Sequence, residues 1–281
     1  MALVLAEVLP TGEVVVRGEE DVWDLHLWEN GAHGELATAD SSLTPVSHRA
    51  ASAPGAGALW LVLTPVEAFH LAYVQGRMRI AHGLQQQHAG RKRGAAGEDG
   101  LDGGSGGGGS TEVLDQLACW LLFRGAEARF PYDFAAYCHL VADGWLVRSG
   151  LQFGADFSLY ALGPRLEHAS HLVLIHVEGE PPRSWISLQG HVRLSQQVNK
   201  KLVLCQVTLA QPGAAEPGAE PGCDAAAEGA GETLLDRVTS TPAVCLDSLR
   251  VSLTQVGVWS PGRAHGEESY RVPGGVDEMW R

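Results

Sequence analysis

The amino-acid sequence predicts an α/β fold in two parts: a small α/β N-terminal domain over residues 1–90, and a second domain over residues 111–281 built on a mixed sheet with flanking helices. Three features carry that reading. The stretch "VLTPVEAFHLAYVQGRMRI" (62–80) holds a full set of helix start and stop signals. Residues 91–110 are charged and then Gly-rich, the composition of a flexible linker that buries too little apolar surface to order itself. Beyond them, two helical patterns precede a series of apolar strands crossed by one helix, which is the order expected of a mixed sheet.

In the first part, "EVVVRG" (13–18) and "VWDLHLWENG" (22–31) read as strands. In the helix that follows, Thr64 is the expected N-cap, Pro65 the first helical residue, Glu67 its capping-box partner and Gly76 the C-terminal stop; Ala68, Leu71, Ala72 and Gln75 share the packed face. After the linker, "STEVLDQLACWLLFRG" (110–125) predicts a helix opened by Ser110 or Thr111 and closed by Gly125. A second helix is expected from Asp133 to a stop at Gly144, with Phe134, Tyr137, Cys138 and Val141 on one face. "WLVRSG" (145–150) and "DFSLY" (156–160) read as a hairpin, followed by the strand "HLVLIHV" (171–177) and a helix capped by Ser184. The strands "KLVLCQVTL" (201–209) and "LRVSLTQVGVW" (249–259) complete the sheet, and residues 210–232 between them, rich in Pro, Gly, Ala and Glu, read as a disordered acidic insert.

The chain has 281 residues, 45% of them hydrophobic, which is enough for a sizeable core. Its formal net charge is -13, the wrong sign for a protein whose whole surface attracts nucleic acid, so any phosphate-binding site must be a local patch. Five cysteines form no CxxC pair and no even framework, which supports neither a zinc ribbon nor a disulfide scaffold and makes a reducing compartment the default. The first residues lack the basic start of a secretory signal, and no run of eighteen apolar residues predicts a membrane span. "RKR" (91–93) reads as a solvated charge run of the linker before it reads as a localisation patch.

The stretch "GADFSLYALGPRLEHASHLVLIHV" (154–177) reads as two strands around a short turn, with Tyr160 closing the first and His168 opening the second. A turn requires neither residue. Downstream, "RLSQQVNKKL" (193–202) brings Arg193 and Lys200 to the junction where a helix returns to the sheet, so Tyr160, His168 and Lys200 can meet at one sheet edge. Such a trio suits metal-free cleavage of RNA. The ribose 2′-OH must lose a proton, the leaving 5′-oxygen must gain one, and a fixed ammonium can stabilise the phosphorane between them. With reference pKa values of about 10 for Tyr, 6.5 for His and 10.4 for Lys, the histidine is the natural acid and the lysine the natural cation. A tyrosine base needs positive charge nearby to lower its pKa. A metal-dependent nuclease would need clustered carboxylates on adjoining strands, and Asp156 alone does not make one.

The sequence resembles the catalytic domain of the tRNA-splicing (tRNA-intron) endonuclease family, and specifically its Sen2-type subunit, over roughly residues 130–207. The motifs are GW-x-V-[KR]-[ST]-G at 144–150, FG-x-DF-x-x-Y at 153–160, a GP turn at 163–164, His168-Ala169, and an arginine seven residues before a lysine. The stretch from Leu63 to Tyr73, L-x-x-x-E-A-F-x-L-x-Y, is similar to the family's N-terminal helix. The resemblance implies an endonuclease-like fold, with Tyr160, His168 and Lys200 as the catalytic residues, no cofactor and no metal. Lys201 adjoins Lys200, and the "VNK" context favours Lys200. Arg193 and Trp259 stand where the family sandwiches a base of the splice-site bulge; Trp259 also fits a half-buried strand residue at a subunit contact. The resemblance further implies precursor tRNA as substrate, other splicing-endonuclease subunits as partners in a hetero-oligomer such as a heterotetramer, no membrane association, and a nuclear location. A non-catalytic structural subunit of the same assembly is the competing reading, against which the intact trio speaks. Ala155 departs from the family's FGGDF, and the insert 210–232 has no counterpart of that length.

Overall fold

The computed structural model describes residues 4–27, 31, 33–38, 59–82, 112–210 and 237–257. The linker expected at 91–110, all of the insert but Ala210, and Trp259 lie outside them.

The first sheet has six strands in the order β3-β4-β2-β1-β5-β6: β1 (Val4–Val8), β2 (Val14–Arg17), β3 (Glu35–Thr38), β4 (Leu59–Leu63), β5 (Met78–His82) and β6 (Glu112–Val113). β1 and β5 run parallel and the other pairs are antiparallel. Val14, Val15 and Val16 are all fully buried, because β2 lies inside the sheet with both faces covered. The segment read as the strand "VWDLHLWENG" is instead largely helical: α1 spans Glu19–Leu27. Val22, Leu25 and His26 are its buried positions, a helical spacing that the short alternation in V-W-D-L-H-L disguises.

α2 (Pro65–Phe69) begins as expected. Thr64 Oγ1 accepts from the Glu67 amide, Glu67 Oε2 accepts from the Thr64 amide at 2.9 Å, and Pro65 occupies the first turn. The helix then widens into a π turn at His70–Val74, and Gly76 ends it at φ +63°.

α3 (Gln116–Ala126) starts later than predicted. Its N-cap is Asp115, whose carboxylate accepts from the Ala118 amide at 2.7 Å, while Glu112 and Val113 extend the first sheet. Gly125 lies inside the helix, and Glu127 is the C-cap. α4 (Phe130–Ala142) starts three residues before Asp133, with Pro131 in its first turn, and Gly144 turns the chain out of it at φ +86°.

The second sheet is mixed, in the order β11-β10-β9-β8-β7: β7 (Leu146–Ser149), β8 (Phe157–Tyr160), β9 (His171–Val177), β10 (Lys201–Leu209) and β11 (Leu249–Val256). β9 and β10 are parallel, joined by α5 (Trp185–Gln197), which Ser184 caps as predicted. The short helix α6 (Pro242–Ser248), capped by Thr241, leads into β11.

The main core is continuous across both sheets. Phe69 of α2 lies 5.3 Å from Trp120, 5.9 Å from Phe130 and 5.0 Å from Phe134, between ring centroids in edge-on arrangements. Each such pair is worth about 0.5 to 1.5 kcal/mol beyond the area it buries. A smaller cluster of Ala155, Leu172, Leu174, Val192 and Leu202 fills the space between α5 and the sheet. Among the described residues no helix is long and apolar enough to cross a membrane.

Candidate active site

β8 runs antiparallel to β9, and β9 runs parallel to β10. The end of β8 and the starts of β9 and β10 therefore share one edge of the sheet. Tyr160 is the last residue of β8, and Lys200 immediately precedes β10. The ladder is sealed there by the Ser170 amide donating to Leu159 O at 2.9 Å and the Lys201 amide donating to Ser170 O at 2.9 Å. His168 does not open β9, as the sequence reading had it. It lies three residues earlier, exposed, in the loop 161–170 that spans this edge.

Side-chain alternation sorts the two neighbouring lysines. Val203 and Cys205 face the main core, so Lys201 points to that side, whereas Leu202 faces α5 and Lys200 points with it. Lys200 Nζ donates to Ala169 O at 2.8 Å and lies 5.1 Å from the centroid of the Phe153 ring, which packs on the α5 cluster. Leu159 faces the main core, which turns Tyr160 toward the α5 side. The Tyr160 ring is buried, with 8% of its surface exposed. Arg193 is exposed on the last turns of α5.

The loop that carries His168 is held at several points. Glu167 Oε1 accepts from the amides of Ala161 and Leu162, the latter at 2.7 Å. The amides of Leu166 and Glu167 donate to Gly163 O at 3.0 and 3.1 Å. Gly163 adopts φ +107°, which only glycine takes readily. The sequence offered Glu167 and Phe153 no role, because their partners are set by the folded loop and by the return of α5.

His171 is a second histidine beside the site. It is buried, stacks edge-on against Trp145 at 4.9 Å, and its Nδ1 lies 2.8 Å from Ser170 Oγ. Burial, reinforced by the Lys201 charge, pushes its pKa down to about 4.

At the opposite edge of the sheet lies an ion cluster. Arg129 pairs with Asp133 at 3.1 Å and Asp156 at 3.6 Å, and Arg183 pairs with Asp156 at 3.7 Å. Asp156 also accepts from the Ile175 amide at 2.7 Å, so it fastens β8 to the far end of β9. Burial pushes the Asp133 carboxyl up to about 7 against the pull of Arg129. Among the described residues no three His, Cys, Asp or Glu side chains gather as a metal centre would require.

Residues 130–212 match the sequence profile of the family described as "tRNA intron endonuclease, catalytic C-terminal domain". Over that segment the chain is similar to the tRNA intron endonuclease family. Tyr160, His168, Arg193 and Lys200 all fall within this matched segment. The chain is 34% identical over 171 residues to the tRNA-splicing endonuclease subunit Sen2 of Mus musculus, covering 58% of this chain and 31% of that one. It is 36% identical over 94 residues to subunit Sen2-2 of Arabidopsis thaliana, covering 33% of this chain and 38% of the relative. A tRNA-splicing endonuclease of Sulfurisphaera tokodaii is 38% identical over 81 residues, 29% of this chain and 44% of the other. The chain thus spans less than half the length of these curated relatives. Ala155, the departure from the family's glycine pair, is buried against Leu172, Leu174 and Val192, where its methyl fits.

Proposed function

We propose that this chain is an endoribonuclease subunit that cuts precursor tRNA at an intron boundary without a metal ion. Tyr160 takes the proton of the ribose 2′-OH as its oxygen attacks the adjacent phosphorus. His168 delivers a proton to the 5′-oxygen as the P–O5′ bond breaks, and the Lys200 ammonium stabilises the negative charge of the phosphorane. The products are a 2′,3′-cyclic phosphate and a 5′-OH. One observation carries the reading: within the segment matched by the family, a tyrosine, an exposed histidine and a lysine come from three separate stretches of chain to one sheet edge.

Further support comes from charge. In a chain of net charge -13, Arg165 of the loop and Lys200 lie on stretches that meet at this edge, a local concentration of positive charge of the kind phosphate requires. Arg193, together with Trp259, is assigned to hold a base of the splice-site bulge. The relatives' description as subunits supports assembly with other chains; the nucleus is the location proposed.

Incubating the complex purified on this chain with an intron-containing precursor tRNA tests the proposal. Cleavage at one intron boundary, with cyclic phosphate and 5′-OH ends and an undiminished chemical step in EDTA once the RNA is folded, is expected. Ends carrying a 5′-phosphate, or activity lost in EDTA and rescued only by a divalent cation, would assign a different chemistry.

A further inference from the structure

We propose that Glu167 is a positioning residue: its carboxylate ties the loop bearing His168 to the end of β8 and so holds the imidazole in line with Tyr160 and Lys200. The inference rests on the proposed ribonuclease function. Among the described residues no hydrogen bond holds the His168 ring, so its place depends on the backbone on either side. Both sides are anchored. Before it, Glu167 Oε1 accepts from the amides of Ala161 and Leu162, the two residues that directly follow Tyr160. After it, Ala169 O accepts from Lys200 Nζ at 2.8 Å. His168 is thus bracketed by one link to the tyrosine strand and one to the lysine.

The Glu167 link is made to measure for that task. A ten-residue loop between Tyr160 and His171 has many conformations, and the Gly163 turn fixes only part of it. A carboxylate accepting two successive amides makes charge-assisted bonds that close the loop back onto its own start. No reacting atom needs to meet Glu167. Its action passes through the histidine, and a reacting group displaced by about 1 Å costs about 100-fold in rate.

The test uses the purified complex containing full-length chain, with single-turnover cleavage of precursor tRNA measured alongside RNA affinity. Glu167→Ala is expected to slow cleavage by about 100-fold with affinity and melting temperature unchanged. Glu167→Gln, which keeps an oxygen acceptor for both amides, is expected to restore most of the rate. In a His168→Ala background, Glu167→Ala should cost nothing more, because the group it positions is gone. Wild-type cleavage by Glu167→Ala, or a full additional loss in the His168→Ala background, overturns the proposal. If His168→Ala itself cleaves normally, the functional reading fails first and the positioning role falls with it, so the two failures are told apart by the single variants.

Discussion

His168 and His171 lie three positions apart beside Tyr160, and both are within reach of the site by sequence alone. Exposure and charge separate them. His171, packed on Trp145 with its pKa pushed down to about 4, is not the imidazolium a general acid needs at neutral pH, whereas His168 is exposed to solvent. The same reasoning separates Lys200 from Lys201. Lys200 is fixed by the Ala169 carbonyl and the Phe153 ring on the α5 side, and Lys201 points to the other face, where its charge acts on His171. Lys200→Ala should therefore slow cleavage by about 100- to 1000-fold, the cost of removing one preorganised charge-stabilising group. Lys201→Ala should stay close to wild type. Single-turnover rates of the two variants decide the assignment, and a larger loss in Lys201→Ala would reverse it.

Much of the fold was legible at the level of elements, and the misreadings have identifiable causes. The Thr64-Pro65-Glu67 start was readable because a capping box is closed entirely by residues within one turn. β8, β9 and β10 were readable because they are nearly all apolar. The N-cap of α3 was misplaced onto Ser110 or Thr111 because Glu112 and Val113 pair with β5, a tertiary contact that local signals do not carry. The strand 171–177 was read correctly, but His168 was taken to open it; Glu167 reaches back to Ala161 and Leu162 and keeps His168 in the loop before β9. The start of α4 shows what burial does to a charge. Asp133 has an ordinary carboxyl value of 3.8 in the unfolded chain and about 7 when folded. The folded state therefore keeps a proton that the unfolded state has released between those values. This favours folding below pH 4 and is lost as pH rises through 7. Asp133→Asn removes that titration. Relative to wild type, the variant should gain stability between pH 5 and pH 8 by about 1 kcal/mol or more, measured by denaturant unfolding at the two pH values. An equal difference at both would show that the carboxylate is ionised throughout.

The whole molecule is held together by contacts that no single stretch of sequence announces. β6 lies in the part of the sequence expected to form the second domain yet adds to the first sheet, and the Arg148 guanidinium on β7 donates to Gly31 O at 2.8 Å, reaching from the second sheet into the first half of the chain. The main contribution is apolar. Phe69 belongs to the first half but sits against Trp120, Phe130 and Phe134 of the second, and it is fully buried. The second sheet rests on the other side of α4, so the strand that carries Tyr160 is continuous with the core that Phe69 completes. Truncating that ring leaves a cavity among three aromatic rings that rigid neighbours fill poorly, and the cost is about 3 to 5 kcal/mol. If the two halves share one core energetically as they do geometrically, Phe69→Ala should lower a single unfolding transition that includes both sheets. Differential scanning calorimetry checks this. Two separate transitions, only one of them shifted by Phe69→Ala, would mean that the second sheet is stable without the N-terminal part, and residues 112–281 alone should then fold.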